Sequence, residues 1–333
     1  MATQQQFIDL LKDIEPAAST VDACSSAHRT LRTALEEDEA FGRLHEHTFL
    51  SGSYKRDTAI RPAYIDGVLQ RPDVDIIVVT NHTKDDAPKD VLDALEKALR
   101  AAGYANIKVN RRSIAVTLKG VDMDVVPVIE DGDSYLIPDI ELKEWLTTNP
   151  PAHTQWTIDV NKEASYRFKP LVKLVKWWRR FHLADLRRPK GFILECLVAK
   201  HMDYFEDKHE LLFVGWLEAV RDAYTLDILL ERVPFLEDPG VAGNNVFSSV
   251  AFKEFKRFYD TVKAQAEQAR KAVNEKDDDK QLELWRKVFG PRFPASAATR
   301  AASGVQSLLK PAVGLGLTFP STPVLPNKPA GFA

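Results

Sequence analysis

The chain has 333 residues, 44% hydrophobic and 28% charged, which is the balance of a globular protein long enough to bury a core without disulfides. Its formal net charge of −3 disfavours a protein that coats duplex nucleic acid by neutralising phosphates, so no stable duplex partner is expected. Two cysteines without a metal-binding spacing, no apolar run that approaches a membrane span and no signal-peptide pattern favour a cytoplasmic protein that binds no membrane.

The first half of the chain mixes helix and strand patterns. Helical spacing of apolar residues predicts helices over 5–14, 20–37 and 87–102. Runs rich in β-branched residues predict strands over 46–51, 74–80, 106–111, 113–119 and 121–128. A turn or short helix follows the first strand, and a polar, proline-containing loop is predicted around 61–72.

The second half of the chain has the pattern of a helical lobe. Helices are predicted over 165–182, 190–204, 208–231 and 247–275, with a solvated turn at the charge run 275–280. From about residue 295 the chain becomes small and polar, then Pro-rich, as in a tail or wrapping arm. The chain therefore divides into an α+β core with N-terminal helices over 1–165, a helical lobe over 166–295 and a tail over 296–333.

Aspartates open two of the predicted strands. Side chains alternate faces along a strand, so Asp73 and Asp75 share one face, and Asp122 and Asp124 share one face of the later strand. If the two strands are neighbours, three carboxylates converge. Such a cluster is costly unless hard divalent cations such as Mg²⁺ sit in it. Two ions together activate an attacking hydroxyl and stabilise a leaving pyrophosphate.

The Gly52-Ser53 pair precedes the acidic strands and adds a candidate phosphate contact. A glycine lets the backbone approach a ligand closely, and backbone N–H groups with a serine hydroxyl hold phosphate oxygens. Each element alone is weak evidence, because an Asp-x-Asp at a strand start is commonly a solvated turn or cap. The three elements in this order are much more specific to a catalytic metal site.

The order Gly-Ser, acidic pair, third acid resembles that of the polymerase-β-like nucleotidyltransferases. Within them the chain is similar to the bacterial relatives of cyclic GMP-AMP synthase, the CD-NTases of CBASS anti-phage systems. The segments that carry the resemblance are GSYKRDTAIRP (52–62), PDVDIIVV (72–79), VDMDVVPVI (121–129), NPPAHTQWTIDVNK (149–162) and FKPLVKLVKWWRR (168–180).

The resemblance implies a bilobed α+β molecule, with a mixed, twisted sheet and the active site in the cleft between lobes. It implies that Asp73, Asp75 and Asp124 are catalytic and hold two Mg²⁺ or Mn²⁺ ions, with Asp124 preferred to Asp122 because it directly precedes Val-Val-Pro. The implied activity joins nucleoside triphosphates, ATP and GTP by default, into a cyclic di- or trinucleotide.

The predicted helix 165–182 carries a basic stripe. Its members recur at intervals of three or four residues and are Lys169, Lys173, Lys176 and Arg180. The opposite, apolar arc is expected to pack on the core and leave the stripe outward, either solvated or facing the cleft to hold a triphosphate. The resemblance favours Lys176 as the phosphate contact and Lys173 second. Lys190 is a substitute for a Ser-Tyr pair that the family often has where this chain has Gly191-Phe192.

Two side chains are candidate base readers. Tyr54 either stacks on a base or belongs to the core. Asn161, in a stretch predicted as loop-like, either reads a base edge or caps the following helix. His153 and His182 are interpreted as structural, because no Cys or His partner lies near them in the sequence.

The C-terminal tail is either a frayed end or an extended arm that threads into another protein. The tail resembles that of CD-NTases whose C-terminus is conjugated by a ubiquitin-transfer-like partner, which implies a thioester or amide at Ala333. Two alternatives to a cyclic oligonucleotide synthase remain open. One is a linear nucleotidyltransferase acting on RNA or a small molecule, and the other is a catalytically silent nucleotide sensor.

Overall fold

The computed structural model describes residues 3–295 apart from 66, 71 and 72. Its helices are α1 (Thr3–Ile14), α2 (Ala18–Glu37), α3 (Gly52–Lys55), α4 (Pro88–Ala101), α5 (Pro150–Glu163), α6 (Phe168–His182), α7 (Phe192–His201), α8 (His209–Leu229), α9 (Phe252–Asn274) and α10 (Asp278–Phe289). Its strands are β1 (His45–Ser51), β2 (Ala63–Ile65), β3 (Val68–Gln70), β4 (Val74–Thr80), β5 (Ile107–Val109), β6 (Ile114–Leu118), β7 (Val121–Asp131), β8 (Ser134–Asp139), β9 (Glu144–Thr148), β10 (Glu237–Asp238) and β11 (Val241–Asn245).

The predicted helices and strands are confirmed along most of the described chain, and the differences lie in polar or short segments. The predicted loop around 61–72 contains the β2–β3 hairpin. The predicted turn at 275–280 already contains the start of α10, because the Asp277 side chain accepts a hydrogen bond from the Lys280 N–H and caps the helix. The sequence patterns do not predict β8, β9, the β10–β11 hairpin, α5 or α10. In α5 the reason is that apolar residues lie on several sides of the helix and form no single stripe.

A mixed sheet forms the first layer of the molecule, in the order β1-β4-β7-β6-β5, with β8 on the far half of β7 and β9 beside it. The pairs are antiparallel except β4 with β7, which run parallel. The parallel register places Asp75 directly opposite Asp124. The two strands that carry the aspartates are therefore neighbours, which is the condition for their carboxylates to lie close together.

The two faces of β4 and β7 have different coverings. Val74, Ile76 and Val78 pack with residues of α2 and α4 in one apolar cluster. The other face carries Asp75 and then the apolar side chains Ile77 and Val79, which form a small cluster with Val126 and Val128. Apolar and acidic side chains thus alternate between the two faces at the start of these strands, as the sequence pattern predicts.

The helical lobe has its own core of buried aromatic side chains. Trp178 of α6 contacts Trp216 of α8 and Phe258 of α9 at ring-centroid distances of 6.2 Å each. Phe7 of α1 inserts its ring edge against Trp285 of α10 at 4.9 Å. The fold class is confirmed as α+β, with a mixed sheet and a helical lobe.

The division into 1–165, 166–295 and 296–333 stays a proposal. In the structure α1 and the end of α5 pack in the apolar cluster of the helical lobe, through residues such as Phe7, Leu10 and Val160, although both precede residue 165. The tail, with Ala333, lies outside the described residues. Within the described part of the chain, no helix combines the length and the apolarity needed to cross a membrane.

Candidate active site

A cavity of about 790 Å³ lies between the acidic face of the sheet and the helical lobe. Its acidic end is formed by strand residues, with the Gly52-Ser53 turn beside them. Its opposite wall comes from α5, α6, α7 and the segment before α7. The residues that line it include Gly52, Ser53, Arg56, Thr58, Asp73, Asp75, Asp122, His153, Lys176, Arg179, Arg180, Lys190, Phe192 and Glu195.

Two of the three predicted carboxylates line the acidic end of this cavity. Asp73 and Asp75 line it, and Asp124 lies opposite Asp75 on the neighbouring strand. Burial, followed by the charges of Asp124 and Asp73, raises the pKa of Asp75 to about 7, against the lowering influence of Arg56. The two strands therefore bring negative charges close together in a buried position.

The carboxylates fit a divalent metal site. The Oδ1 atom of Asp124 is buried and has no hydrogen-bond partner among the described residues. Burial also raises the pKa of Asp124. A buried carboxylate oxygen without a donor is costly, and a cation on that oxygen removes the cost. Asp122 also lines the cavity, two residues before Asp124 on the same strand face.

Gly52 is required by its contact with the acidic pair. Its φ is +69°, in the left-handed region, and a Cβ placed there would lie 1.6 Å from Oδ2 of Asp75. The carboxylate thus occupies the space of the missing side chain. Gly52 is also the first residue of α3, and its carbonyl accepts the Arg56 N–H at 3.1 Å. The Gly-Ser turn is therefore held against the carboxylate cluster.

A buried ion-pair network closes the wall opposite the carboxylates. Glu195 of α7 is fully buried and accepts hydrogen bonds from Arg56 Nε at 2.8 Å and Lys176 Nζ at 2.7 Å. The Thr58 hydroxyl donates to the same carboxylate at 2.9 Å. Burial alone would raise the pKa of Glu195, but Lys176 and Arg56 lower it to about 2. Glu195 thus stays ionised and pins α6, α7 and the segment after α3 together.

The sequence did not predict this ion-pair network around Glu195. Glu195 is a lone acid in the otherwise apolar stretch Phe192–Val198, and that position was the available signal, because an acid on an apolar helix needs a buried partner. Arg56 and Thr58 lie in the segment 52–62, which carries the family resemblance, but the sequence predicted no role for either residue.

Lys176 lines the cavity as expected, but its three N–H donors are already used. They contact the Thr58 carbonyl and hydroxyl oxygens at 3.1 Å each and Glu195 Oε1 at 2.7 Å. An ammonium group has three donors, so a phosphate contact would require Lys176 to release one of these partners. The network favours a structural role for this lysine.

Of the two alternatives for the basic stripe of α6, the solvated one is wrong, whereas Lys176 and Arg180 line the cavity, as the cleft-facing one expects. Lys173, Lys176 and Arg180 are buried, because the stripe packs against the segment after α3 and the end of α1. Lys173 contacts Glu15 at 2.8 Å and Asp57 at 3.1 Å.

The ends of the stripe have partners in the same region. Lys169 lies 3.6 Å from Asp57, and Arg180 donates to the Arg61 carbonyl. On the arc expected to be buried, Phe181 is instead 40% exposed. Periodicity identified which residues share a side of the helix but not what covers that side.

Lys190 is the sequence-predicted cation best placed for phosphate. It lines the cavity, and no described residue makes a hydrogen bond or an ion pair with its ammonium. Burial, followed by the charge of Arg179, lowers its pKa, which an anionic ligand would reverse. Arg179 also lines the cavity, but it donates to the carbonyls of Leu186 and Pro189.

The two candidate base readers do not line the cavity. Asn161 lies inside α5, so its placement in a loop is wrong, and its side-chain oxygen accepts the Lys169 N–H at 3.1 Å. This contact agrees with the alternative in which Asn161 caps the following helix. Tyr54 packs on the apolar cluster under the sheet, and burial raises its pKa. His182 contacts the Val288 carbonyl at 2.8 Å, as a structural histidine would, whereas His153 lines the cavity.

Comparisons with known proteins agree with this geometry. A family model described as Second Messenger Oligonucleotide or Dinucleotide Synthetase domain matches residues 1–161. A relative from an Acinetobacter strain, named cyclic AMP-AMP-AMP synthase, is 63% identical over 337 positions that cover 100% of this chain and 98% of the relative. A relative from Enterobacter hormaechei, named cyclic AMP-AMP-GMP synthase, is 28% identical and covers 100% of both chains.

Solved structures show the same fold. The Escherichia coli MS115-1 CdnC structure with ATP matches with a TM-score of 0.69 at 22% identity, over 88% of this chain and 99% of that one. The Bradyrhizobium diazoefficiens CdnG structure with GTP matches with a TM-score of 0.70 at 14% identity, over 90% and 97%.

Glu195→Ala is expected to lower the free energy of unfolding by about 3–5 kcal/mol, because Arg56 and Lys176 would remain buried without their counter-charge. Urea denaturation measures the change. The control is Glu283→Ala on the exposed face of α10, which should stay within about 0.5 kcal/mol of wild type. Equal, small effects of both substitutions would contradict the role given to Glu195.

Gly52→Ala is expected to weaken Mn²⁺ binding by about tenfold or more, because the added Cβ displaces the Asp75 carboxylate. Calorimetric titration of the protein with Mn²⁺ measures the affinity. Gly120→Ala is the matched control, since Gly120 also has a positive φ, +92°, but open space around its Cβ position. If Gly120→Ala weakened binding as much, backbone strain rather than the carboxylate contact would be responsible.

Proposed function

This chain belongs to the CD-NTase family, the nucleotidyltransferases of CBASS anti-phage systems that synthesise cyclic oligonucleotides, and from that premise we propose that it joins three ATP molecules into a cyclic trinucleotide. The convergence of Asp73, Asp75 and Asp124 at one end of a deep cavity carries the proposal. The ring size and base follow from the relative named cyclic AMP-AMP-AMP synthase. A product that also contains GMP is the second candidate, because the relative at 28% identity is named for one.

Membership of the family implies the use of a divalent metal ion. We propose two Mg²⁺ or Mn²⁺ ions, held by Asp73, Asp75 and Asp124. When bound, such ions polarise phosphate oxygens and stabilise the charge that develops on the leaving group. The unpartnered Oδ1 of Asp124 and the raised pKa of Asp75 support this assignment, since a cation satisfies both groups.

The proposed reaction is an in-line displacement at the α-phosphorus of a nucleoside triphosphate. A ribose hydroxyl of the acceptor nucleotide forms the new P–O bond, the bond to the bridging oxygen breaks, and pyrophosphate leaves. Asp124 takes the hydroxyl proton. Gly52 and Ser53 hold the donor phosphates from the turn beside Asp75, and Lys190 holds them from the opposite wall. A third such displacement closes the ring.

The remaining nucleotide-contact candidates have less support. Lys176 and Lys173 are engaged with carboxylates, and Tyr54 and Asn161 lie off the cavity wall. Lys173 and Lys176 keep the support of the resemblance, and Lys176 also lines the cavity, whereas Tyr54 and Asn161 keep only the chemistry of their side chains. The proposed location is the cytoplasm, where nucleoside triphosphates are available.

Asp75→Asn and Asp124→Asn are each expected to lower cyclic product formation by at least about a hundredfold, because each removes a charge from the metal site. The purified variants are incubated with all four nucleoside triphosphates and Mg²⁺, treated with phosphatase and analysed by mass spectrometry. Asp133→Asn, on an exposed turn, is the control.

The same assay separates the alternatives. A phosphatase-resistant cyclic species identifies the synthase, and its mass gives the base composition. Open-chain or acceptor-linked nucleotides would indicate a linear nucleotidyltransferase. Nucleotide binding without turnover, unaffected by the aspartate substitutions, would indicate a sensor.

We further propose that Ala333 is the point at which a ubiquitin-transfer-like partner conjugates the chain to a target. The support is the Pro-rich sequence before it. Deleting the last residues is expected to abolish conjugation in cells and to leave synthesis by the purified protein unchanged, because the residues proposed for catalysis lie between Gly52 and Lys190. Loss of synthesis on deletion would contradict a separable tail.

A further inference from the structure

A histidine–aspartate pair lies on the cavity wall, away from the residues assigned above. His153, in the first turn of α5, lines the cavity, and its Nε2 lies 2.6 Å from Oδ1 of Asp238. Their side chains are 12% and 14% exposed. Neither residue has a role in the proposed chemistry.

The β10–β11 hairpin, between α8 and α9, brings Asp238 to this wall. Its turn packs directly on the imidazole, because a Cβ on Gly240 would lie 2.4 Å from Cδ2 of His153. The Gly240 N–H also donates to Asp238 Oδ1 at 2.9 Å. The hairpin, which belongs to the helical lobe, thus fixes the orientation of the His153 side chain on α5.

The pairing with Asp238 determines which ring nitrogen of His153 remains for a ligand. Burial alone would raise the pKa of Asp238, but hydrogen bonds from His153 and from backbone N–H groups keep it below its usual value. The ionised carboxylate only accepts, so Nε2 donates the hydrogen of this bond, and Nδ1 is the ring nitrogen left to accept one from a ligand. No described residue makes a hydrogen bond to Nδ1.

The wall around His153 suits a nucleobase better than a phosphate. The imidazole contacts the Phe192 ring at a centroid distance of 4.5 Å, and Phe192 also lines the cavity. An aromatic and apolar surface with one fixed polar atom is the usual composition of a site that orients a flat ligand. The metal and phosphate candidates instead lie at the Asp75 end and on Lys190.

We propose that Nδ1 of His153 accepts a hydrogen bond from the 6-amino group of adenine, and that Asp238 is the residue that positions it. Guanine presents a carbonyl oxygen at the same ring position, so two acceptors would face each other and the base would be disfavoured. This inference rests on the proposed function, because it assigns the adenine preference of that same cavity to one atom.

Binding of two non-hydrolysable triphosphates tests the assignment without requiring turnover. One analogue carries adenine, and the other carries unsubstituted purine, which lacks the amino group. Wild-type protein is expected to bind the adenine analogue about tenfold more tightly, the size of one well-formed hydrogen bond. His153→Gln is expected to bind both equally, since its amide nitrogen can still donate to Asp238 but no acceptor replaces Nδ1.

The control is His201→Gln, because His201 is hydrogen-bonded to Tyr224 at 2.9 Å and does not line the cavity. It should keep the tenfold ratio. A ratio retained in His153→Gln, an equal loss of affinity for both analogues, or no adenine preference in wild type would each overturn the assignment. Failure of wild type to form cyclic product from ATP would contradict the proposed function alone, since the binding ratio is measured separately.

Asp238→Ala tests the positioning role. It removes the oxygen that accepts the Nε2 hydrogen, so the ring orientation is no longer fixed and the adenine preference should fall. An unchanged preference in Asp238→Ala would show that the carboxylate does not set the orientation of the ring.

Discussion

The position of the whole cleft depends on one fully buried carboxylate, Glu195. Removing a carboxylate and two cations from water costs several kcal/mol per ion, and the cost is offset only when geometry and hydrogen bonding are nearly complete. Here both carboxylate oxygens have donors, from Arg56, Lys176 and Thr58. Because these groups come from α6, α7 and the segment after α3, they fix the Gly-Ser turn relative to the helical lobe.

The chain separates its charges into those that hold the lobes together and those left for a ligand. The basic side chains on α6 pair with Glu15, Asp57 and Glu195 or donate to backbone carbonyls. Asp75 is buried beside Asp124 and Asp73, and burial together with these charges raises its pKa to about 7. Acids at one end of the cavity, with Lys190 on its wall, form an arrangement that suits a metal–triphosphate complex.

The site is assembled from both parts of the molecule. The sheet supplies the carboxylates, while the helical lobe supplies Lys190, Glu195 and, through the β10–β11 hairpin, the partner of His153. The cavity therefore has its acidic end on rigid strands and its opposite wall on helices. Packing of α1 against the helical lobe, through Phe7 and Trp285, ties the beginning of the chain to that same wall.

The sequence by itself determined the features that follow from local periodicity. Alternation along β4 and β7 placed Asp75 and Asp124 on one face, and the Gly-Ser turn before them was recognised from its order in the chain. Only the tertiary structure decided what lies against each face. It buried the basic stripe of α6, used all three donors of Lys176, placed Asn161 inside a helix and paired His153 with a residue 85 positions away. The physical reason is that periodicity specifies which side chains share a side of an element, whereas the partner that covers that side comes from distant parts of the chain and is chosen by packing and by the need to satisfy buried charge.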